Sequence, residues 1–417
     1  MRILLIHQFF LEKDDGGGSR FNEMTRVWEE KGHETTVLSG MVHYATGKKR
    51  DKYKGKFTYT DNHSEKTTVI RSYVSEAYNV NFLGRLWAYF SFVFSSIYAG
   101  LFKTNGKFDV ILVTSPPLFV GITAYILSLF KRIPFVFEVR DLWPESAIDT
   151  GVLTNKFIIK AAYWFEGFMY RKSRLVNVLT PAFRERLIEK GVPPEKIIFI
   201  PNAADFAISD QLLHSDFDRT DFRRKHNLTG KKVITYVGAH GVANDLIQTI
   251  DTAEVLRSRG IKDVLFLLIG AGMQKEMLKE ETKKRDLTEY IRFQDPVPKT
   301  EVFKYILASE FGASILKKVD TFKTIYSNKT FDYMACKRPV LMVIDGVSRK
   351  LVEDANCGVY IEPENPEDFA DKIEIYLRRS PEELEKEGES GYRFAKAQFD
   401  RDVLASEYIQ HLSKVSK

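Results

Sequence analysis

Short apolar segments alternate with longer amphipathic segments along almost the whole chain. In the first half the apolar segments are rich in valine, isoleucine, leucine and phenylalanine with little polar alternation, which is typical of parallel strands covered on both faces. They span residues 2–6, 34–38, 68–74, 109–113, 134–139, 175–179 and 197–200. Helices are predicted between them. Residues 19–31, for example, place Phe21, Met24 and Trp28 on one face, with Gly32 where a helix would end.

The second half repeats the pattern. Strands are predicted at 233–237, 264–269, 290–293, 312–316, 340–344 and 359–361, and helices at 245–259, 274–284, 299–309, 329–337, 348–355 and 366–378. Between the two runs, residues 201–220 lose strand character and fill with aspartate and serine. The sequence therefore predicts two doubly wound α/β domains with a break in this region.

The stretch Phe82–Phe102 differs from every other segment because it holds eight aromatic residues and a single charge, Arg85. A spanning helix needs about 20 apolar residues. A span would also divide one sheet between two sides of a bilayer, so we exclude it. A helix buried in the domain and a helix lying in a membrane interface both remain open.

Composition and charge narrow the classes of function. With 417 residues and 44% hydrophobic residues the chain can form large cores, and its two cysteines, Cys336 and Cys357, favour a reducing compartment. The net charge of +6 is uneven, because residues 1–200 hold 28 lysines and arginines against 20 acidic residues. This excess indicates an anionic partner or a basic, soluble surface, and it is too weak for a nucleic-acid reader. We find no metal-ligand spacing among the histidines and no signal peptide, and we expect a cytoplasmic protein.

Two segments of the first half have the composition of a ligand site. The first strand is followed by Gln8 and then by Gly16-Gly17-Gly18-Ser19-Arg20 at a helix start, where backbone amides suit a phosphate or a sugar hydroxyl. A flexible turn without a ligand is the alternative. Arg140 and Asp141 come at the carboxyl end of a buried strand, and Asp141 can take a proton from an attacking hydroxyl or simply form an ion pair or helix cap.

The second half carries two further candidates. A glycine turn, Gly238 to Asn244, follows its first strand and includes His240. The sharper candidate follows a later strand, where Lys317, Lys318 and Lys323 precede a helix that Ser327 or Asn328 can cap. Lys329 and Asp332 lie on one face of that helix, and the carboxylate can hold two vicinal hydroxyls, as of a ribose. A solvated lysine cluster beside a capped helix is the alternative.

Taken together, these elements resemble a family 4 glycosyltransferase with the GT-B fold, in which two Rossmann-like domains face each other across a cleft. More narrowly, they resemble the fucosaminyltransferase-like enzymes of bacterial O-antigen and capsule assembly. The motifs that carry it are GGGSR, FEVRDLWPES, IPNAAD, FQDPVPKTEV and SNKTFDYMACKRPVL, in family order along nearly the whole chain. The resemblance implies an acceptor-side domain at 1–205, a nucleotide-sugar domain at 206–391 and a C-terminal helix, 392–417, that returns to the first domain.

The resemblance also implies roles for individual residues. It places contacts with the donor diphosphate or the acceptor at Gly17 and Gly18, and contacts with the donor nucleotide at Gly270, Asp295, Val297, Pro298 and Asp332. The residue patterns add donor-side candidates at Gly238, His240, Asn244, Thr324, Ser327 and Asn328, and acceptor-side candidates at Gln8, Ser19, Arg20 and Arg140. Asp332 matches the second acid of the family's E-x₇-E signature, whereas Thr324 stands where the first is expected. Ala239, His240 and Asn244 occupy the region of the usual Arg/Lys pair, so neutralisation of the diphosphate is expected from Lys317, Lys323 or Lys329 and from the helix start. The catalytic candidates are Lys317, Lys329 and Asp141.

The expected reaction is retaining transfer, without metal or cofactor, of a sugar from a UDP-sugar to a polyprenyl-diphosphate-linked or glycan acceptor. The sugar is expected to be an N-acetylated hexosamine or a deoxyhexosamine, and the place of action the inner face of the cell membrane. Cell-surface polysaccharide synthesis, of lipopolysaccharide or capsule, is the expected context. A sugar-nucleotide 2-epimerase and a non-catalytic nucleotide-sugar-binding subunit are the alternatives.

Overall fold

The chain forms two compact units. The computed structural model describes residues 1–12, 15, 20–43, 47–79, 82–149, 151 and 153–416. Unit 1 comprises Met1–Pro201 and Asp402–Lys417, and unit 2 comprises Asn202–Arg401. The predicted α/β class with two parallel-sheet domains is confirmed.

Unit 1 is built on an eight-stranded sheet. Its strands are β1 Arg2–Ile6, β2 Glu34–Gly40, β3 Thr58–Asn62, β4 Thr67–Ser72, β5 Val110–Ser115, β6 Phe135–Val139, β7 Leu175–Val178 and β8 Ile197–Phe199. The order is β3-β4-β2-β1-β5-β6-β7-β8, and every neighbouring pair is parallel except β3 with β4. All six residues of β5 are buried, as a sheet covered on both faces requires.

Six helices in the described part of the first 201 residues cover this sheet. They are α1 Arg20–Glu30, α2 Phe82–Phe102, α3 Val120–Lys131, α4 Glu145–Asp149, α5 Lys156–Lys172 and α6 Pro181–Glu189. The aromatic segment 82–102 is thus one helix, α2, which buries Phe92 and Val93 and exposes Trp87 and Phe94. Within the part of the chain that the structure describes, no helix has the length and apolar character needed to cross a bilayer.

Unit 2 is built on a six-stranded parallel sheet in the order β11-β10-β9-β12-β13-β14. Its strands are β9 Lys232–Val237, β10 Val264–Ile269, β11 Ile291–Gln294, β12 Phe311–Ile315, β13 Val340–Val343 and β14 Gly358–Tyr360. Alternate residues of β10 belong to different apolar clusters, Phe266 and Leu268 to one and Leu265 and Leu267 to another. The sheet is therefore buried on both faces.

Nine helices surround the second sheet. They are α7 Phe206–Leu213, α8 Arg219–Lys225, α9 Ile247–Ser258, α10 Lys275–Lys284, α11 Lys299–Ala308, α12 Asn328–Ala335, α13 Val347–Asp354, α14 Pro366–Leu377 and α15 Pro381–Gln398. A last helix, α16 Arg401–Val415, belongs almost wholly to unit 1, where Trp28 Nε1 donates to the carbonyl oxygen of Ala405 at 2.9 Å.

The division differs by a few residues from the predicted boundaries at 205/206 and 391/392. The first crossing lies at 201/202, and the second lies at 401/402 because α15 packs within unit 2. A Cβ at Gly391 of α15 would lie 2.7 Å from Cβ of Cys357, and Tyr392 donates to Asp210 at 2.7 Å. The helix that ends in unit 1 therefore begins at Arg401 rather than at residue 392.

Candidate functional site

The carboxyl ends of four neighbouring strands of unit 2 carry most of the predicted donor residues. Gly238 follows β9, Gly270 follows β10, Asp295 follows β11, and Lys317 comes two residues after β12. The strand order reverses between β9 and β12, because β10 and β11 follow on the side of β9 whereas β13 and β14 follow on the side of β12. Ligands of open α/β sheets bind at such a switch point, outside the carboxyl ends of the strands.

Two glycine turns meet closely at this edge. Gly238 and Gly270 have φ of +147° and +149°, a region that favours glycine. A Cβ at Gly270 would lie 1.9 Å from the carbonyl oxygen of Gly238. Backbone hydrogen bonds join the turns, since the amide of Gly238 donates to Ile269 at 3.0 Å and that of His240 to Ala271 at 2.9 Å. The turns are thus a fixed backbone surface that a diphosphate or a base can approach.

His240 lies in the first of these turns but supplies no positive charge. Its ring is fully buried, and neither ring nitrogen has a hydrogen-bond partner among the described residues. Burial, aided by Lys275 and Lys279, lowers the pKa of His240 to about 4. The imidazole is therefore neutral at neutral pH.

Lys329 occupies the switch point together with the glycine turn. A Cβ at Gly238 would lie 3.3 Å from Cε of Lys329, and the ammonium nitrogen is 4.7 Å from the ring centroid of Tyr236. Burial lowers the pKa of Lys329 to about 8. The backbone amide of Lys317 donates to Ala243 of the same turn at 2.9 Å. The structure therefore brings Lys317 and Lys329 to one loop, as predicted from the sequence.

The start of α12 differs in one respect from the prediction. Ser327 stands at the N-cap position, but its hydroxyl makes no capping hydrogen bond and is buried without a partner among the described residues. The predicted side-chain cap by Ser327 is therefore wrong. Asn328 is the first helical residue, and Asp332 lies on the following turn. The amides at this helix start keep the positive end of the helix dipole available to an anion.

Thr324, at the position of the family's first acid, ends a short 3₁₀ helix, Asp320–Thr324, and donates to the carbonyl oxygen of Thr321 at 2.6 Å. Lys323 of the same turn pairs with Asp320 at 2.9 Å. The hydroxyl of Thr324 is thus engaged with its own turn.

Sequence reasoning missed Lys275, whose side chain connects the carboxyl ends of two strands of unit 2. Its buried ammonium donates to the carbonyl oxygens of Gly270 at 2.7 Å and Gln294 at 3.0 Å and to the carboxylate of Asp295 at 2.7 Å. It therefore joins the ends of β10 and β11. Val297 and Pro298 lead directly into α11. The signal in the sequence was a lysine at the first position of a helix after a glycine-rich turn, a pattern too common to single out.

The carboxyl edge of unit 1 has its own switch point, between β1 and β5. His7, directly after β1, is 2.9 Å through Nδ1 from the hydroxyl of Thr114. Gln8 is buried, and neither its amide nitrogen nor its oxygen has a partner among the described residues. An unpartnered buried amide is costly, which makes Gln8 the strongest of the acceptor-side candidates. The predicted contacts Gly17, Gly18 and Ser19 lie outside the described residues.

Arg20, another acceptor-side candidate, has a different role. Its buried guanidinium pairs with Glu138, through Nε to Oε1 at 3.1 Å, and donates to the carbonyl oxygens of Ile200 and Pro201. Asn177 donates to the same carboxylate at 2.9 Å. Arg20 is therefore a structural residue rather than an exposed acceptor contact. Arg140 is partly exposed, with Nε 4.0 Å from Glu138, and remains a candidate.

Asp141 follows β6 at the same edge. Its carboxylate accepts a hydrogen bond from Ser146 of α4 at 2.7 Å. Burial raises the pKa of Asp141, against the effect of that hydrogen bond. A carboxylate whose pKa is raised is a stronger base, so the geometry suits proton abstraction as well as the alternative of a helix cap.

Two family models match the chain, one over each unit. The model of the glycosyl transferase 4-like domain matches residues 15–203, and that of glycosyl transferases group 1 matches residues 218–394. The chain is 24% identical to the putative colanic acid biosynthesis glycosyl transferase WcaI of Escherichia coli (strain K12), over 69% of this chain and 70% of that protein. It is 23% identical to the alpha-D-kanosaminyltransferase of Streptomyces kanamyceticus, over 61% of this chain and 64% of that one.

Solved structures share the fold over nearly the full length. HepE of Anabaena, in complex with UDP, superposes with a TM-score of 0.70 at 17% identity, covering 99% of this chain and 100% of that one. WaaG, a glycosyltransferase involved in lipopolysaccharide biosynthesis, has a TM-score of 0.71 at 14% identity and covers 99% of each chain. With matches over both units and a common architecture, the chain belongs to the family 4 glycosyltransferases of the GT-B fold.

Proposed function

We propose that this glycosyltransferase moves a sugar, with retention of configuration, from a UDP-sugar to a polyprenyl-diphosphate-linked or glycan acceptor in cell-surface polysaccharide synthesis. The observation that carries the proposal is the cluster of Gly238, Gly270 and Lys329 at the switch point of unit 2. The names of WcaI and WaaG and the UDP bound to HepE support the pathway and the nucleotide. An N-acetylated hexosamine or a deoxyhexosamine is the sugar we expect.

The chemistry follows from the charge of the leaving group. Cleavage of the bond to the sugar leaves UDP with additional negative charge on its β-phosphate. Lys317, Lys329 and the amides at the start of α12 are fixed before the reaction and stabilise that charge as it develops. One such donor contributes about 3–4 kcal/mol in other enzymes. We therefore include independence from a metal ion in the proposal, since these groups supply positive charge at the diphosphate.

Asp332 and Asp141 complete the proposed machinery. Asp332, one turn into α12, is proposed to accept hydrogen bonds from the ribose hydroxyls. Asp141, in unit 1, is proposed to take the proton of the acceptor hydroxyl, for which its raised pKa is suitable. Gln8 and Arg140 are proposed to contact the acceptor from the same edge of unit 1.

The acceptor explains the proposed place of action. A polyprenyl-linked acceptor is held by a membrane, so we propose that the protein works at the inner membrane surface. The basic excess of residues 1–200 is consistent with an acceptor that carries a diphosphate.

Release of UDP, measured with and without a polyprenyl-diphosphate-linked acceptor for a panel of UDP- and GDP-sugars, tests the proposal. We expect acceptor-dependent release from one UDP-sugar, unchanged by EDTA, with Lys317→Ala and Lys329→Ala each lowering turnover by about 100-fold or more. Asp332→Ala is expected to weaken UDP binding in calorimetry. Conversion of a sugar nucleotide without acceptor would favour an epimerase, and binding without any turnover a non-catalytic subunit.

A matched control is available on the same surface. Lys318 pairs with Glu362 and lies next to Lys317, so Lys318→Ala should leave turnover near that of the unchanged protein. Near-normal activity of both Lys317→Ala and Lys329→Ala, and of the double variant, would contradict the assignment of charge stabilisation to these lysines.

A further inference from the structure

Three helices of unit 1 form one layer beside the sheet. Ser96 of α2 and Thr123 of α3 are 2.9 Å apart through their hydroxyl oxygens. A Cβ at Gly100 of α2 would lie 2.4 Å from Leu127 of α3, and one at Gly121 of α3 would lie 2.8 Å from Met169 of α5. Because glycine permits these close approaches, α2, α3 and α5 pack side by side.

The outward side of this layer is aromatic. Large side chains of all three helices are exposed, with Phe157 of α5 exposed by 86%, Phe130 of α3 by 72% and Phe102 of α2 by 69%. The set that we call the aromatic surface is Trp87, Phe94, Phe102, Phe130, Phe157 and Trp164. Exposed residues of this size, repeated on three adjacent helices, mark an interaction surface rather than scattered apolar positions.

The same layer carries positive charge without exposed acids of its own. No aspartate or glutamate occurs in residues 77–108 or 110–137, which include α2 and α3. The single acid of α5, Glu166, is buried and binds Lys190 at 2.6 Å. Exposed cations lie on these helices or directly after them, and of these Lys103, Arg132, Lys156, Lys160 and Lys172 have no ion-pair partner among the described residues.

Tyr163 of α5, a neighbouring exposed aromatic residue, is not part of the aromatic surface. Burial raises its pKa, and the carboxylates of Glu145, Glu166 and Asp149 raise it further. Lys190 is 5.3 Å from the ring centroid of Tyr163. Two of these acids, Glu145 and Glu166, pair with Lys190 at 2.7 and 2.6 Å.

We propose that the outward face of α2, α3 and α5 docks on an anionic lipid bilayer. Aromatic side chains enter the boundary between headgroups and acyl chains, and the unpaired lysines and arginine contact the anionic headgroups. The helices then lie along the bilayer rather than across it. A second copy of this chain is the less suitable occupant, because two such faces would oppose like charges. The proposal concerns a surface distinct from both carboxyl edges and does not depend on the proposed reaction.

Sedimentation with unilamellar vesicles tests the docking surface on the full chain. We expect binding to vesicles of phosphatidylglycerol and phosphatidylethanolamine, at least tenfold weaker binding to phosphatidylcholine vesicles, and loss of binding in high salt. Lys156→Gln/Lys160→Gln/Lys172→Gln should weaken binding at least tenfold. The matched control Lys262→Gln/Lys283→Gln/Lys386→Gln changes the same charge on exposed lysines of unit 2 and should not.

A separate measurement tests the side chains of the aromatic surface. Lipids brominated in their acyl chains should quench the tryptophan fluorescence of the protein. Trp87→Phe/Trp164→Phe should lose most of this quenching, because of the two remaining tryptophans Trp28 is fully buried and Trp143 is only partly exposed. Phe157→Ser/Trp164→Ser should bind vesicles weakly, whereas Met273→Ser/Ile375→Ser, on exposed positions of unit 2, should bind normally. Equal binding of test and control variants, or dimers in light scattering with no vesicle binding, would overturn the proposal.

Discussion

At the scale of single residues, the charge of the Lys329 ammonium is expected to control the rate of the proposed transfer reaction. Its pKa is lowered to about 8 by burial, and only the charged form can stabilise a diphosphate. We therefore expect kcat/KM, which reports the free enzyme, to fall as the pH rises through about 8. The measurement is a pH–rate profile of the transfer reaction.

Lys329→Arg provides the control, because a guanidinium stays charged throughout this range. Its residual activity should show no decline near pH 8. A decline of the same size in Lys329→Arg would assign the titration to another group.

The ion pair of Arg20 and Glu138 is a residue-scale feature of stability. Removal of one partner leaves a buried, unpaired charge, which costs about 3–5 kcal/mol. Arg20→Met is therefore expected to lower the free energy of unfolding of unit 1 by this amount in a urea titration. Arg26 of the same helix forms exposed ion pairs, and Arg26→Met should cost less than about 1 kcal/mol. Equal effects of the two changes would contradict the structural role of Arg20.

At the scale of elements, the turns after β9 and β10 act as one unit. Gly270→Ala would place a Cβ 1.9 Å from the oxygen of Gly238, so the two turns must separate. We expect at least a tenfold loss of UDP affinity in calorimetry with the fold retained. Gly230→Ala is the matched control, since Gly230 also has a positive φ, +78°, but nothing lies within 4 Å of its Cβ. A normal affinity of Gly270→Ala would contradict the role of the paired turns.

The strands differ in how well the sequence predicts them. Buried parallel strands such as β5 and β10 were predictable because uninterrupted apolar runs are required on a sheet covered on both faces. The strand β3 was not, because it lies antiparallel at the edge of the sheet, half-exposed and with the polar sequence TYTDN. This polar edge strand has no apolar pattern to detect, whereas the edge strands β8, β11 and β14 have one and were predicted.

The candidate site was predictable where a residue directly follows a strand, as Gly238 and Gly270 do, because all carboxyl ends of a parallel sheet meet at one edge. It was not predictable where the role depends on distant partners. Arg20 meets Glu138 across 118 positions of sequence, and Lys275 joins two strand ends through carbonyl oxygens that any sequence would supply. The missing cap of Ser327 is likewise a matter of side-chain orientation.

At the scale of the whole molecule, α16 makes the end of the chain part of unit 1. It buries Tyr408 and Leu412, and Tyr408 packs edge-on against Trp28 at 6.2 Å. A chain that stops after Asp400 should lose stability in unit 1 while unit 2 still binds UDP. Calorimetry with and without UDP measures both, and a chain that stops after Val415 is the control. An unchanged unfolding profile of the shorter chain would contradict this role of α16.

Unit 2 is one uninterrupted segment between two parts of unit 1, and its ends are fastened to each other. The amide of Ala204 donates to Phe399 at 2.9 Å, and Arg401 donates to Ala203 at 2.5 Å. A segment whose ends adjoin can be exchanged as a cassette with two nearby breakpoints. Recombination at 201/202 and 401/402 would thus replace the whole of unit 2 in a single event, while the eight-stranded sheet and its closing helix stay intact.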